Sequence, residues 1–471
     1  MVSLDESLSY LKDRVSECIR SNKSILVTTH MDCDGLVSGS IMTRALIREE
    51  ARCTVRTSKE FSRSVVRSLK SDPRDFHIVT DLGGGFAKEM DAELGDNWVV
   101  LDHHHIPESE TDNERVINAW KYGIDGGTEV CAGGMAYLAA SAINEGNLDL
   151  SAMAIVSALG DRQDQGERKS FTGKNFEIAN GAKERGLVEI DLDLLLVGRE
   201  TRPLADALAF TSQPFIEGLT WNRGACLAML DSAGIRLKDG GRWRVPAELD
   251  EEEKKQVIEA IAKFASGKNT TEIMAEMIGY TYTFPKEDGR SFLRDGREFS
   301  TMLNSCGRIN RSSVGMAVCM GDRNKILREG EGILKEYRAM IREYMNILGS
   351  QRWRTSVSET CVMVNGEDVV PETMTGTISS LIAGSPKNAG KIVILRTKAE
   401  ENTVKFSSRK SFGCKSGISL SELMRTGAER FDGMGGGHDA AAGAKITKDK
   451  LDDFLRYLDA NVVNVQGTAA P

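Results

Sequence analysis

The sequence predicts an α/β protein with an N-terminal domain on a parallel sheet, a mainly helical insertion, a long connector helix and a smaller C-terminal α/β domain. Two observations carry this reading. From Ser3 to about Gly160, short apolar runs alternate with helical stretches, the pattern of a parallel sheet covered by helices on both faces. Further on, Ile326, Ile333, Leu334, Tyr337, Ile341, Tyr344 and Leu348 recur at helical spacing. One helix over Asp322 to Leu348, ending before Gly349, would span about 40 Å at ~1.5 Å per residue and join two lobes. The length of 471 residues accommodates about three domains of ~150 residues, or two larger ones.

In chain order, Ser3-Leu4-Asp5-Glu6 is a capping-box pattern opening an amphipathic helix. Ile25–Thr29, Phe76–Thr80 and Trp98–Leu101 are predicted strands, with a helix from about Val37 to Glu49 after the first. Residues 1–190, which contain these elements, form the expected catalytic domain. Residues 191–321 are the expected helical insertion, with Gly240-Gly241 as a loop and Asp250 to Glu253 as a helix start. The connector occupies 322–349. Residues 350–464 form the second domain, with strands at Cys361 to Val364, Ile392 to Arg396 and Thr403 to Phe406, and 465–471 are a frayed tail.

Composition excludes several classes. A formal charge of −8 argues against a polybasic nucleic-acid coat, although a local cationic groove depends on the field at the site and not on the total. Nine scattered cysteines without a CxxC pair indicate neither a zinc ribbon nor a disulfide framework, and free thiols in a reducing cytosol are expected. The N-terminus does not read as a signal peptide, and no apolar stretch is long enough for a bilayer span. A cytoplasmic location is therefore expected.

The chemistry concentrates where apolar runs break off. Trp98–Leu101 runs into Asp102-His103-His104-His105, and Ile25–Thr29 into His30-Met31-Asp32-Cys33-Asp34-Gly35. Phe76–Thr80 leads to Asp81, Leu82 and three glycines, and Ala154–Leu159 to Gly160-Asp161-Arg162-Gln163-Asp164. Ligands of open parallel sheets bind outside the carboxyl ends of the strands, where the strand order switches, so these clusters converge on one pocket. His30, Asp32 and Asp34, two apart in extended backbone, project to one side. Asp81 arrives from a neighbouring strand and can bridge two ions, and His103 and Asp161, itself expected at a strand end, complete the second ion's shell. Carboxylates and imidazoles without thiolate suit manganese or magnesium better than structural zinc. A lone aspartate at a strand end is more often a turn residue or cap, and that is the reading for Asp164. His77, inside a strand, is read as structural. Coincidence is a poor account of the joint set.

A second segment, Gly433-Met434-Gly435-Gly436-Gly437-His438-Asp439-Ala440-Ala441-Ala442-Gly443, can bring backbone amides onto an anion, and its alanines can open a helix whose N-terminus favours phosphate. His438 adds a donor. Upstream, Ser407 and Arg409 in Lys405 to Lys410 can form a fork for phosphate oxygens, against the plainer reading of a solvated basic hairpin.

Together these segments resemble the DHH phosphoesterase superfamily. HMDCDG, TDLGGG, LDHHH and SALGDRQDQ match its four motifs in order, and GMGGGHDAAAG resembles the phosphate-binding motif of the DHH-associated C-terminal domain. Thr201 to Leu204 and Leu293 to Arg308 resemble the archaeal RecJ-like branch, which includes the GINS-associated nuclease. The resemblance implies a metal-dependent exonuclease on single-stranded DNA or RNA, some relatives being bound to the GINS replication complex. It assigns His30, Asp32 and Asp81 to one of two Mn2+ ions (or Mg2+ in their place) and Asp34, Asp81, His103 and Asp161 to the other. Asp102 would orient His103, His104 would face the scissile phosphate, and Ser407, Arg409, Gly436, Gly437 and His438 would contact substrate phosphate from the other lobe. His105 extends the family pattern and is expected to be exposed and noncatalytic. Two alternatives remain open: a phosphodiesterase of small substrates such as nano-RNA, cyclic dinucleotides or phosphoadenosine phosphate, and a GINS-bound replisome scaffold without turnover. Filled ligand positions argue against the scaffold.

Overall fold

A computed structural model describes residues 2–106, 112–265, 270–400 and 402–463. The tail expected to fray, 465–471, lies outside the described residues. Contacts divide the chain into two units, residues 1–334 and 335–471.

In the first unit, α1 (Leu4–Arg20) begins with the expected capping box, Ser3 accepting from the Glu6 amide and Glu6 from the Ser3 amide. There follow β1 (Ser24–His30), α2 (Cys33–Arg48), β2 (Arg52–Ser58), α3 (Arg63–Lys70), β3 (Phe76–Thr80), α4 (Ala87–Leu94), β4 (Trp98–Asp102) and β5 (Val116–Asn118). The five strands form a fully parallel sheet in the order β2-β1-β3-β4-β5. Their alternation is two-sided. Ile25, Val27, Ile78, Val99 and Leu101 pack with α1, α2 and the helices α5 (Ala132–Ile143) and α6 (Ser151–Gly160), while Leu26, Val79, Trp98 and Val100 pack with α3 and α4. Burial on both faces is why these strands read as continuous apolar runs.

The run Ala154–Leu159 is not a strand: it lies in α6, and Asp161 is that helix's C-cap. The helix is buried nearly all round, from Met153 to Leu159, so its apolar residues show no stripe and cannot be told from a buried strand by pattern. The chain continues through α7 (Gly173–Glu184), β6 (Glu189–Leu194), α8 (Leu204–Phe210), α9 (Arg223–Ser232), the two-residue strands β7 (Lys238–Asp239) and β8 (Arg242–Trp243), α10 (Glu251–Phe264), α11 (Thr270–Met277) and β9 (Ile278–Thr283). The antiparallel β6–β9 ribbon brackets a small core of its own, including Leu204, Leu208, Leu230, Val257 and Ile261. The expected features are present: the glycine pair turns β7 into β8, and Asp250 caps α10 in a capping box with Glu253.

Beyond β9, α12 (Gly296–Arg308) and α13 (Ser312–Cys319) leave that small core and join the first: Phe299, Met302, Leu303 and Cys306 pack with α2 and α6 residues. The connector is observed as α14 (Lys325–Ser350), displaced from the expected bounds and running through Gly349.

The second unit contains β10 (Thr355–Val357), β11 (Cys361–Asn365), α15 (Thr375–Ala383), β12 (Ile392–Lys398), β13 (Thr403–Lys410), α16 (Leu420–Arg430), β14 (Met434–His438), β15 (Ala441–Thr447) and α17 (Leu451–Leu458). They build a six-stranded sheet in the order β10-β11-β12-β13-β15-β14, antiparallel except for β11–β12. One face, with Ile394, Phe406, Ala442 and Ile446, packs against α16 and α17. Two expectations change here. The alanines after His438 form the strand β15 and not a helix, because the glycine-rich segment pairs with them as an antiparallel hairpin. Lys405 to Lys410 lies in the interior strand β13, with Ser407 and Ser408 buried, and so is not a solvated hairpin.

Leu303 is fully buried in the first core. Leu303→Ala is expected to cost about 2–5 kcal/mol, read as a lower urea midpoint for unfolding of the first unit; a midpoint equal to wild type would show that α12 is peripheral.

Candidate metal centre

The strand order reverses between β1 and β3, and the candidate ligands gather at the carboxyl ends of β1, β3 and β4. His30 is the last residue of β1. Asp32 is not extended backbone alongside it but the N-cap of α2, accepting from the Gly35 amide at 3.1 Å, and Asp34 lies inside the first helical turn. The equal projection expected from their spacing therefore fails, and the two carboxylates serve different neighbours. His30 Nδ1 lies 3.0 Å from Asp32 Oδ2 and 3.5 Å from Asp81 Oδ2. Asp34 instead accepts from the Ala132 and Gly133 amides at 2.9 and 2.8 Å and from the Ser157 hydroxyl. Those amides open α5, whose N-terminal partial charge favours an anion. Gly133 permits this approach, since a Cβ there would collide with Ser157.

Asp81 follows β3 with φ 62°, a left-handed conformation rare for a residue with a side chain but tolerated by aspartate. Its amide donates to the Leu101 carbonyl at 2.9 Å, tying the turn to β4. Asp102 ends β4. Its Oδ2 accepts from the Gly84 amide at 3.0 Å, and its Oδ1 from the His103 amide at 2.8 Å and from His104 Nδ1 at 2.9 Å. Contrary to expectation, Asp102 thus orients the ring of His104 and not that of His103. The His103 ring is set by the Gly126 carbonyl, 2.6 Å from Nδ1. His104 is exposed, and so is His105, stacked on Trp120 at 3.8 Å.

Donation by His103 Nδ1 leaves Nε2 with a lone pair, only 3.2 Å from Asp34 Oδ2 and 3.3 Å from Asp81 Oδ1. These contacts are close but not aligned as hydrogen bonds, and Nε2 and Asp81 Oδ2 are buried atoms without a hydrogen-bond partner. Lone pairs facing one another in a buried site repel unless a cation lies among them. In the protein alone that cation is a proton. Burial opposes charge on His103, but Asp34 and Asp81 outweigh it and hold the imidazole well above its ordinary pKa. Burial, then Asp34 and Asp32, push the Asp81 carboxyl up, and desolvation chiefly brings Asp161 up to about 7. A cluster that retains protons in this way releases them to a divalent ion. The donor atoms form two groups that fit such ions, His30 with Asp32 and Asp81, and Asp34 with His103 and Asp161; a further group joins Asp81 to Asp102, His103 and His104.

Sequence reasoning missed the supports. Gln163 Nε2 donates to Asp161 Oδ2 at 2.8 Å and to the Gly126 carbonyl at 2.8 Å, and Asn175 donates to Gln163 at 2.6 Å. Asn304 of α12 accepts from the Cys33 amide at 3.1 Å, and Gly307 packs so closely on Met31 that a side chain there would strike its carbonyl. The signal available was Ser157, a hydroxyl within an apolar run. The structural readings fit their surroundings: Asp164 pairs with Arg297 at 2.7 Å, and His77 is buried in β3.

In the second unit, β-sheet register puts Ser407, Gly443 and Gly436 in one row and Arg409, Ala441 and His438 in another, on the same face. Arg409 donates to Ser407 and Ser380 at 3.0 Å each, and Ser407 meets Ser379 at 2.9 Å. Gly437 falls in the row between, on the opposite face, where a Cβ would collide with Ala441 and Ala442. His438 is exposed.

Three family models match in chain order: the DHH family N-terminal domain over residues 24–160, the DHH-CID domain over 196–278 and the DHHA1 domain over 360–464. The fold and this site define a metal-dependent phosphoester hydrolase. The chain belongs to the DHH superfamily, with a RecJ-like architecture ending in a DHHA1 domain. An uncharacterized protein of Methanocaldococcus jannaschii is 29% identical over 443 residues, 92% of each chain. Among solved structures the fold resembles RecJ from Thermus thermophilus in complex with Mn2+, with a TM-score of 0.59 and 15% identity over 97% of this chain and 54% of that one. This chain thus spans about half of that RecJ. CDC45 from Entamoeba histolytica gives a TM-score of 0.63 at 12% identity, covering 97% of this chain and 98% of that one. No helix among the described residues is long and apolar enough to cross a membrane.

If a divalent cation resolves the lone-pair conflict, it should stabilise the first unit. Manganese at a hundred times its dissociation constant is expected to add about 2.7 kcal/mol, read by calorimetry as a raised unfolding temperature that chelation reverses. An unfolding temperature indifferent to manganese would contradict the fit.

Proposed function

We propose that the protein is a manganese-dependent exonuclease of single-stranded nucleic acid, hydrolysing phosphodiester bonds with two ions, in DNA replication or repair. The observation that carries this reading is the pair of donor groups on either side of Asp81, whose two oxygens lie toward His30 and toward His103. In this reading His30, Asp32 and Asp81 hold one ion, and Asp34, Asp81, His103 and Asp161 the other. Divalent ions held by these residues would supply charge for both oxygens of an in-line displacement at phosphorus and lower the pKa of water. Imidazole among the donors favours manganese over magnesium.

The remaining roles belong to the chain's own groups. Asp102 accepts from His104 Nδ1, which leaves Nε2 of an exposed imidazole free to meet a phosphate oxygen when protonated. Ser407, Arg409 and His438 share a face and offer donors to a substrate phosphate, while Gly436 keeps the strand between them free of a side chain on that face. Such a grip would contribute by positioning the substrate. The insertion exposes Val197, Phe210, Trp221 and Phe264, which supports a protein-docking role with GINS as the proposed partner. A polymeric substrate or such a partner accounts for the insertion better than a cyclic dinucleotide or nano-RNA does.

End-labelled DNA and RNA strands incubated with manganese test the reading: stepwise shortening from one end is expected, abolished by chelation and by Asp81→Ala. Asp81→Ala activity within a few-fold of wild type would overturn the bridging role. His438→Ala should keep its metal content but lose about 1.5–3 kcal/mol of a charge-assisted hydrogen bond, roughly a tenfold to hundredfold loss in kcat/KM; loss of manganese from that variant would contradict the division of labour.

A further inference from the structure

We infer that a second cavity of the first unit is a stacking subsite for a nucleotide of the single strand. The inference rests on the nuclease reading above. The cavity, about 410 Å3, is lined by Arg168, Phe171, Phe176, Lys183, Tyr280 and Tyr282, among others.

Its walls are aromatic. Phe171 and Tyr282 lie with ring centroids 4.6 Å apart and are buried, while Tyr280 is partly exposed and Phe176 is 50% exposed. A half-exposed phenylalanine on a helix as polar as α7 leaves apolar ring surface in water, and a flat ligand would cover it. The cations are Arg168 and Lys183, with Glu167 the one acid lining the cavity, so an anionic flat ligand is favoured over a neutral one.

Arg168 is placed at this rim by a turn packed against β9. Arg168 and Lys169 are consecutive left-handed residues, φ 52° and 61°, a conformation that persists only where surroundings impose it. Here the Gly166 amide bonds to the Ser170 carbonyl at 2.9 Å, and Gly279 of β9 lets the turn sit against the strand, since a Cβ there would meet the Arg168 carbonyl.

The cavity is also tied to the metal centre. Asn175, the residue before Phe176, donates to Gln163 at 2.6 Å, and Gln163 donates to Asp161 at 2.8 Å. On the other wall Arg297 donates to the Tyr280 carbonyl at 2.9 Å, pairs with Asp164 at 2.7 Å and lies 5.8 Å from the Tyr282 ring. Two hydrogen bonds thus separate the residue beside the exposed ring from a candidate ligand. Aromatic rings with adjacent cations beside a phosphodiester-cleaving centre suit a nucleobase and its phosphate, in a sequence-tolerant manner because every base has a π-face.

The test uses the full chain as wild type, Phe176→Ala and Lys183→Ala, with calcium replacing manganese to suppress cleavage. Fluorescence anisotropy with labelled strands of three and twelve nucleotides should show binding of the longer strand by Phe176→Ala weakened roughly five- to a hundredfold, and the gap between long and short strands narrowed. Photocrosslinking of a 5-iodouracil strand should give adducts at Phe176 or Tyr280. Long-strand affinity of Phe176→Ala within twofold of wild type, or adducts only outside the cavity, overturns the subsite. Adenosine monophosphate bound more tightly than the longer strand would instead assign the cavity to a free nucleotide and overturn the strand assignment. A wild type that neither binds nor cleaves single strands defeats the nuclease reading itself; one that does both, with Phe176→Ala equal to it, defeats only the subsite.

Discussion

The arrangement around Asp81 and His103 rests on one electrostatic constraint: carboxylates and an imidazole lone pair are brought together where water cannot screen them. Like charges in such a place repel far more strongly than in solvent. The surrounding chain neutralises some of them with fixed donors. Asp34 takes two backbone amides at the start of α5 and a serine hydroxyl, and Asp102 takes the Gly84, His103 and His104 amides and the His104 ring. It leaves Asp81 Oδ2 and His103 Nε2 with no such donor. The unsatisfied atoms belong to candidate ligands of the two donor groups, as a cation site requires, since hydrogen-bond donors aimed at them would compete with the ion.

Several packing choices serve the same constraint. The reversal of strand order at β1 and β3 opens the crevice, and the left-handed Asp81 turns a carboxylate back into it. The Gln163 amide joins Asp161 to the Gly126 carbonyl that fixes the His103 ring, so two candidate ligands from distant segments share one support. From still farther along the chain, α12 secures the loop between His30 and Asp34 through Asn304 and the close approach of Gly307. These groups touch no substrate, but each sets the position of a group proposed to hold an ion.

The second unit separates its tasks by sheet face. Phe406, Ala442, Ala444 and Ile446 bury against α16 and α17, while the alternate residues Ser407, Arg409 and Gly443 face the side of α15. Period-two alternation makes this division automatic once the register is set. The glycines of β14 meet a second demand, because a side chain at Gly435 would strike the Met424 carbonyl of α16. The segment is therefore a tightly packed edge strand as well as a candidate phosphate contact.

The sequence by itself determined the parallel sheet, its two-sided burial and the identity of the clustered donors, because strand ends in such a fold are read from where an apolar run stops at a polar residue. His30, Asp81 and Asp102 were legible in this way. It also determined the helix cap at Ser3 and the helix start at Asp250 to Glu253, which depend on contacts within four residues. Only the tertiary structure decided that Asp161 ends a helix, since α6 is buried on all sides and its pattern has no period to betray it. Tertiary structure likewise separated Asp32 from Asp34, because a helix beginning between them replaces the alternation of a strand with a turn. The roles of Ser157, Gln163, Asn175 and Asn304 were decided there too. Gln163 and Asp161 are two residues apart, but the other contacts reach from 12 residues for Asn175 and Gln163 to 271 for Asn304 and Cys33, and no local pattern specifies a contact that only the folded core brings about.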